Sequence, residues 1–175
     1  MQKISILFKK FWHKRAAKKS LHTSLEEKSL SRAFKIKHVR VILDTSIEIE
    51  QQFFNDLAKS FGIPPVNITV FAFRASKELE KQYAHFFDPK EVSYFGQFQG
   101  DQALMLEKEV DLQINYFNRN DLYMEWASAF AKKKLSAGFL GVDQRLNDII
   151  FDFSPTDKNT FKEELVKYLT ILKKL

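Results

Sequence analysis

Between residues 38 and 153 the chain repeatedly trades a short run of β-branched and aromatic residues for a segment with helical spacing. That alternation restricts the fold more than any other feature. The clearest unit opens with His38–Leu43, a compact apolar run that reads as a buried strand. Asp44-Thr45-Ser46 follows, and then Phe53, Phe54, Leu57, Ala58 and Phe61 recur on one face of a helix. Thr45 and Glu48 have the spacing of a capping box. Gly62 supplies a left-handed helix end, and Pro64-Pro65 cannot continue the helix.

The same alternation continues. Val66–Phe73 reads as a second strand, Ser76–Phe86 as a helix, and Glu91–Phe95 as a short third strand after the Asp88-Pro89 turn. A brief helix over Asp101–Lys108 leads into a fourth strand, Val110–Phe117. Asn118–Lys134 is expected to be helical, with Tyr123, Trp126, Ala127, Phe130 and Ala131 facing inward as core. Leu135–Leu140 and Asp148–Phe153 read as two strands joined by too few residues for a parallel crossover, hence an antiparallel hairpin. Ser154-Pro155 opens a last helix striped by Phe161, Leu165, Tyr168, Leu169 and Leu172. The expected fold is α/β: a three-layer sandwich around a mainly parallel, Rossmann-like sheet of about five or six strands, with the antiparallel hairpin at one edge.

The amino-terminal segment differs in kind. Ile4, Leu7, Phe8, Phe11 and Trp12 recur at helical spacing among Lys3, Lys9, Lys10, Lys14, Arg15, Lys18 and Lys19. This is the pattern of a basic amphipathic helix. Residues 1–37 are therefore read as a helical arm with its connector, and residues 38–175 as a single α/β domain, a division that suits 175 residues. Residues 1–40 hold twelve Lys or Arg against Glu26 and Glu27, so the overall charge of +6 leaves the remainder net acidic. The apolar run Ile4–Phe8 stops at Lys9-Lys10, short of a secretory core, and no cysteine occurs. A cytoplasmic protein is expected, with an arm suited to peripheral contact at the inner membrane surface.

Several chemistries lack their residues. Five glycines, at 62, 96, 100, 138 and 141, form no phosphate-binding loop. The histidines at 13, 22, 38 and 85 form no metal-ligand spacing, and no serine sits in a nucleophile elbow. No catalytic residue, metal or cofactor is nominated. What remains is positional, because ligands of open α/β sheets bind beyond the carboxyl ends of the strands, where strand order reverses. That rule nominates Asp44, Thr45, Ser46, Asn115 and Asn118, although helix capping and turn formation account for the same residues more simply. Asp111, Asp143 and Asp152 are acidic, with solvation or turns as their default role. Tyr94-Phe95-Gly96 could form an aromatic platform, but a strand end packed on the core is the stronger reading. In the arm, Lys9, Lys10, Lys14, Arg15, Lys18 and Lys19 suit an anionic membrane surface or the phosphates of RNA or a ribosome. Equally, the arm's apolar residues could dock it on its own domain, a protein partner or a second copy.

Taken together, the strand–turn–helix at 38–62, Ser93-Tyr94-Phe95-Gly96, the strand Val110-Asp111-Leu112-Gln113-Ile114-Asn115 and Lys134-Leu135-Ser136-Ala137-Gly138 resemble an uncharacterised family of small bacterial α/β proteins of unknown function with a Lys-rich helical arm. Residues 108–138 are also similar to the amino-terminal half of heptosyltransferase-type glycosyltransferases, whose nucleotide-sugar site lies largely in a second Rossmann-like half. The expected function is a non-enzymatic binding or accessory protein. The alternative is a small enzyme or sensor that takes a phosphorylated or sugar-like metabolite at the strand ends.

Overall fold

The computed structural model describes residues 2–26, 34–73 and 83–175. Six strands form one sheet: β1 (Val39–Asp44), β2 (Ile68–Phe73), β3 (His85–Phe86), β4 (Val110–Tyr116), β5 (Lys133–Phe139) and β6 (Ile149–Phe151). Among the described residues five α-helices accompany them: α1 (Gln2–Glu26), α2 (Gln51–Phe61), α3 (Gly100–Glu107), α4 (Leu122–Phe130) and α5 (Lys158–Ile171). The sheet order is β3-β2-β1-β4-β5-β6, and every neighbouring pair is parallel. Strand order thus reverses between β1 and β4, the doubly wound arrangement.

Alternation along the central strands sends side chains to two cores. Val39, Val41 and Leu43 of β1 join Leu112, Ile114 and Tyr116 of β4 beneath Phe54, Leu57, Phe61 of α2 and Phe161, Leu165, Leu169 of α5. On the opposite face Ile42, Phe71, Phe73 and Phe117 pack with Leu106 of α3 and Met124, Trp126 and Ala127 of α4. Each large side chain buried this way contributes about 1.5–3 kcal/mol. α2 ends as its sequence dictates. Gly62 takes φ 70°, its amide donates to Lys59 O at 3.0 Å, and the Ile63 amide donates to Ala58 O at 3.1 Å.

Several expectations are corrected. β5 and β6 are parallel, with Ala137 opposite Ile149, so there is no antiparallel edge hairpin. β6 is only three residues long, so the return path is short; residues 140–148 cover it with a single 3-10 turn, Gln144–Leu146, in place of a crossover α-helix. Asp148 fixes the junction by accepting from the Ser136 amide at 2.8 Å and its hydroxyl at 2.7 Å. The third strand is His85–Phe86, whereas Val92 pairs antiparallel with Phe98 in a small hairpin outside the sheet. Of the helix expected over 76–86, residues 76–82 lie outside the described residues. The Thr45–Glu48 capping box does not form: α2 starts at Gln51, and Thr45 Oγ1 instead donates to Phe73 O at 2.7 Å, tying β1 to β2. α4 begins at Leu122 because Asp121 accepts from the amides of Tyr123 and Met124 at 3.0 and 3.2 Å. Tyr168 and Leu172 of the last helix are exposed, beside the buried Phe161, Leu165 and Leu169. Among the described residues no helix is long and apolar enough to cross a membrane.

Candidate functional site

The nominated strand-end residues part company. Asp44 ends β1 almost fully buried, and Arg119, just beyond β4, grips it with Nε 2.5 Å from Oδ2 and Nη2 2.8 Å from Oδ1. The Ser46 amide also donates to Asp44 Oδ1, at 3.0 Å. The point of strand reversal is therefore bridged by an ion pair whose hydrogen bond runs from Nη2 to Oδ1, the close Nε approach lacking hydrogen-bond geometry. Thr45 is spent on β2, while Ser46 and Asn118 are exposed at the rim. Asn115 does not reach the rim at all. It lies fully buried under α4, donating to Asn147 Oδ1 at 2.7 Å and accepting from Gln113 Nε2 at 3.1 Å.

Asn115 belongs to a polar seam that sequence reasoning missed. Gln113 Nε2 also donates to Ser128 O and Oγ, each at 3.2 Å, and its Oε1 accepts from Arg40 Nη1 at 3.3 Å. Arg40 is 1% exposed and, among the described residues, forms no ion pair with a carboxylate; it donates to the carbonyls of Met105 at 2.6 Å, Lys132 at 3.3 Å and Lys108. Two of these close the carboxyl end of α3, where helix carbonyls lack partners and the dipole is negative. Burial lowers the Arg40 pKa to about 10, so the guanidinium stays charged at neutral pH. Gly138 makes room for the seam: a Cβ there would lie 2.6 Å from Asn147 Oδ1. The seam hydrogen-bonds largely within itself. Asp111 has a comparable structural role: burial raises its pKa, but Lys134 and the amides of Lys37 and His38 outweigh this and hold it low. Among the described residues, no three His, Asp or Glu side chains gather as a metal-ligand set.

The arm makes a different kind of site. Among the described side chains, α1 packs on α4 and on the 91–99 hairpin through Trp12, His13, Ala16 and Ala17, of which only Trp12 belongs to the stripe of Ile4, Leu7, Phe8, Phe11 and Trp12 that periodicity nominated. The side chains of residues 4, 7 and 8 lie outside the described ones, and Phe11 points outward, 57% exposed. His13 is fully buried. Its Nε2 donates to Ser93 O at 2.9 Å, which leaves Nδ1 to accept from the Tyr123 hydroxyl at 3.1 Å. Burial first, and Lys9 in addition, lower the His13 pKa against the Ser93 bond that raises it. Gly96, at φ 81°, meets α1 so closely that a Cβ would stand 2.7 Å from the Ala16 methyl.

With α1 so seated, Lys10, Lys14, Arg15, Lys18 and Lys19 are exposed and Lys9 is half-buried. Residues 9–23 contain no acidic side chain. A cleft of about 520 Å³ between α1 and the turn at 144–146 is walled by Arg15, Lys18, Lys19, His22 and Arg145. Arg145 is also held by Asp143, 2.5 Å from its Nη2. A larger cleft, about 1230 Å³, runs between α1 and the starts of β4 and β5, and carries both Lys132–Lys134 and Glu107, Glu109 and Asp148. It lies at the opposite end of the sheet from the Asp44–Arg119 pair.

A model of a family of unknown function, DUF6913, matches residues 9–172. The chain belongs to this family. The DUF6913 match takes in the docked part of α1 as well as the α/β domain, so the arm and its seat fall within one family span. No curated protein and no solved structure matches the chain. The likeness of residues 108–138 to heptosyltransferases accordingly carries no functional argument.

Tyr94 and Phe95 correct one expectation. They occupy the tip of the hairpin, 40% and 66% exposed, rather than a strand end packed on the core. The signal was present in Ser93 and Gly96, which flank them as turn residues. Arg119 was likewise legible as the first basic residue after a strand end.

Proposed function

We propose that this DUF6913 protein is a non-enzymatic binding or accessory protein that holds a basic helix against an α/β platform and contacts a polyanionic surface with it. The observation that supports this reading most is the division of labour on α1. Trp12, His13, Ala16 and Ala17 face the domain, and Lys10, Lys14, Arg15, Lys18 and Lys19 face solvent with no acid among residues 9–23. Docking fixes the helix before any partner arrives, so the ordering entropy of a free arm is not lost on binding. On this reading the protein is cytoplasmic, and peripheral to a membrane or a ribosome.

The test is co-sedimentation of the full chain with anionic vesicles and with RNA, compared with a Lys10→Gln, Lys14→Gln, Lys18→Gln variant. Each lysine near an anionic surface contributes about 1 kcal/mol, so the triple variant should bind about 150-fold more weakly. Equal binding of the two proteins to every polyanion would refute the reading.

A second reading is supported by the strand order. A phosphorylated or sugar-like metabolite at the β1–β4 reversal would compete with Asp44 for Arg119, whose side chain is 41% exposed. A thermal-shift panel tests it: stabilisation that disappears in Arg119→Gln supports a sensor or small enzyme, and no shift with any metabolite counts against one.

A further inference from the structure

We propose that the anionic surface is a lipid bilayer, met by a composite of the cationic face of α1 and the aromatic tip of the 91–99 hairpin. The proposal rests on the function proposed above and narrows it to one occupant. Turn tips favour Gly, Asn, Asp and Ser, which suit their backbone and their exposure. Here the two central positions of the Ser93–Gly96 turn, closed by the Gly96 amide donating to Ser93 O at 3.1 Å, are Tyr94 and Phe95. Their rings form an unbroken chain with the arm. Centroids are 5.5 Å apart for Tyr94–Phe95, 5.9 Å for Phe95–Trp12 and 5.9 Å for Trp12–Phe11. Phe95 and Phe11, on either side of the half-buried Trp12, are 66% and 57% exposed. Contiguous exposed rings of this kind mark a contact surface.

The charges flank the rings. Arg15 lies over Trp12 at 5.6 Å, and Lys10 and Lys14 are helix neighbours of Phe11. Hairpin and helix are locked together by the His13–Ser93 hydrogen bond and by the Gly96–Ala16 contact. Rings and cations therefore arrive at a flat surface together. That is the chemistry of interfacial binding: aromatic side chains enter at headgroup depth while lysines meet anionic headgroups. Single-stranded RNA fits less well. Successive ring planes meet at 80°, 78° and 77°, edge to face, so they present no parallel faces on which consecutive bases could stack. Residues 9–23 also carry five lysines to one arginine, point charges rather than bidentate forks.

The experiment titrates the full chain with vesicles of phosphatidylcholine, with vesicles that also contain phosphatidylglycerol, and with poly(U) RNA. Phe95→Ser and, separately, Tyr94→Ser are compared, with unchanged melting temperatures as the folding control. The proposal expects binding to the phosphatidylglycerol vesicles, weakened about tenfold or more by Phe95→Ser through the loss of one inserted ring. It also expects a blue shift of tryptophan emission on vesicle binding, reported by Trp12 because Trp126 is already buried. Unchanged vesicle affinity in both variants, or tighter binding to RNA than to vesicles, overturns the membrane proposal and leaves the polyanion reading standing. No binding to either polyanion overturns both.

Discussion

His13 holds the arm, and its chemistry makes that hold depend on pH. The imidazole is fully buried between Ser93 O and the Tyr123 hydroxyl, with Trp126 at 5.4 Å between centroids. Its Nδ1 accepts a hydrogen bond, so protonation there forces the Tyr123 hydroxyl to turn and places a cation in a buried site near Lys9. The pKa in the docked state is accordingly below the ordinary 6.5. The released arm binds the proton more readily than the docked one, so docking is strongest above pH 6.5 and weakens as pH falls from there to the docked value. Within that window each pH unit removes about 1.4 kcal/mol. His13→Gln retains a hydrogen-bonding side chain but does not titrate. It should weaken docking by about 1–3 kcal/mol through the poorer fit and one lost hydrogen bond. Hydrogen exchange of the amides of residues 12–20, followed between about pH 7.5 and pH 5, reads the opening of α1 directly. After correction for intrinsic exchange, the wild-type opening free energy should fall with pH and that of His13→Gln should not. Equal pH slopes in the two proteins would refute the reasoning.

Three further substitutions probe the supports of the site. Gly96→Ala adds a methyl 2.7 Å from the Ala16 Cβ at a φ of 81°, and should expose α1 to limited proteolysis while leaving the sheet folded. Arg40→Leu strands the carbonyls of Met105 and Lys108, leaves Lys132 O with only the Val110 amide, and should cost about 3 kcal/mol or more in urea unfolding. Gly138→Ala drives a methyl into Asn147, which should break the Asn115–Asn147 bond and lower stability by about 1–3 kcal/mol in the same assay.

The sequence revealed those elements whose residues face one environment along their whole length. β1, β2, β4 and β5 are buried on both faces for nearly their whole length, α2 carries its own stop in Gly62, and the strand–helix rhythm implied a parallel sheet. Pairing direction at the edge was not legible, because apolar runs report burial and not which neighbour satisfies the backbone. β6 is the instance: its direction is set by the Asp148–Ser136 clamp and by the shortness of the strand. The polar seam was hidden for a related reason. Arg40, Gln113 and Asn115 look like rim or surface residues until Met105, Lys108, Ser128 and Asn147 are brought around them by other elements. At the site the basic character of α1 and the role of Trp12 were legible, and the rest of its docking face was not, because His13, Ala16 and Ala17 complete it. The exposure of Phe95 depended on a turn that the apolar pattern around it concealed.

The most direct test of the account is the affinity of the full chain for phosphatidylglycerol vesicles across a salt series, measured beside the Lys10→Gln, Lys14→Gln, Lys18→Gln variant. A docked cationic face predicts wild-type binding that falls steeply as salt screens the surface, with both the affinity and its salt dependence reduced in the variant. Binding that ignores salt, or that survives the three substitutions unchanged, would contradict the role given to α1.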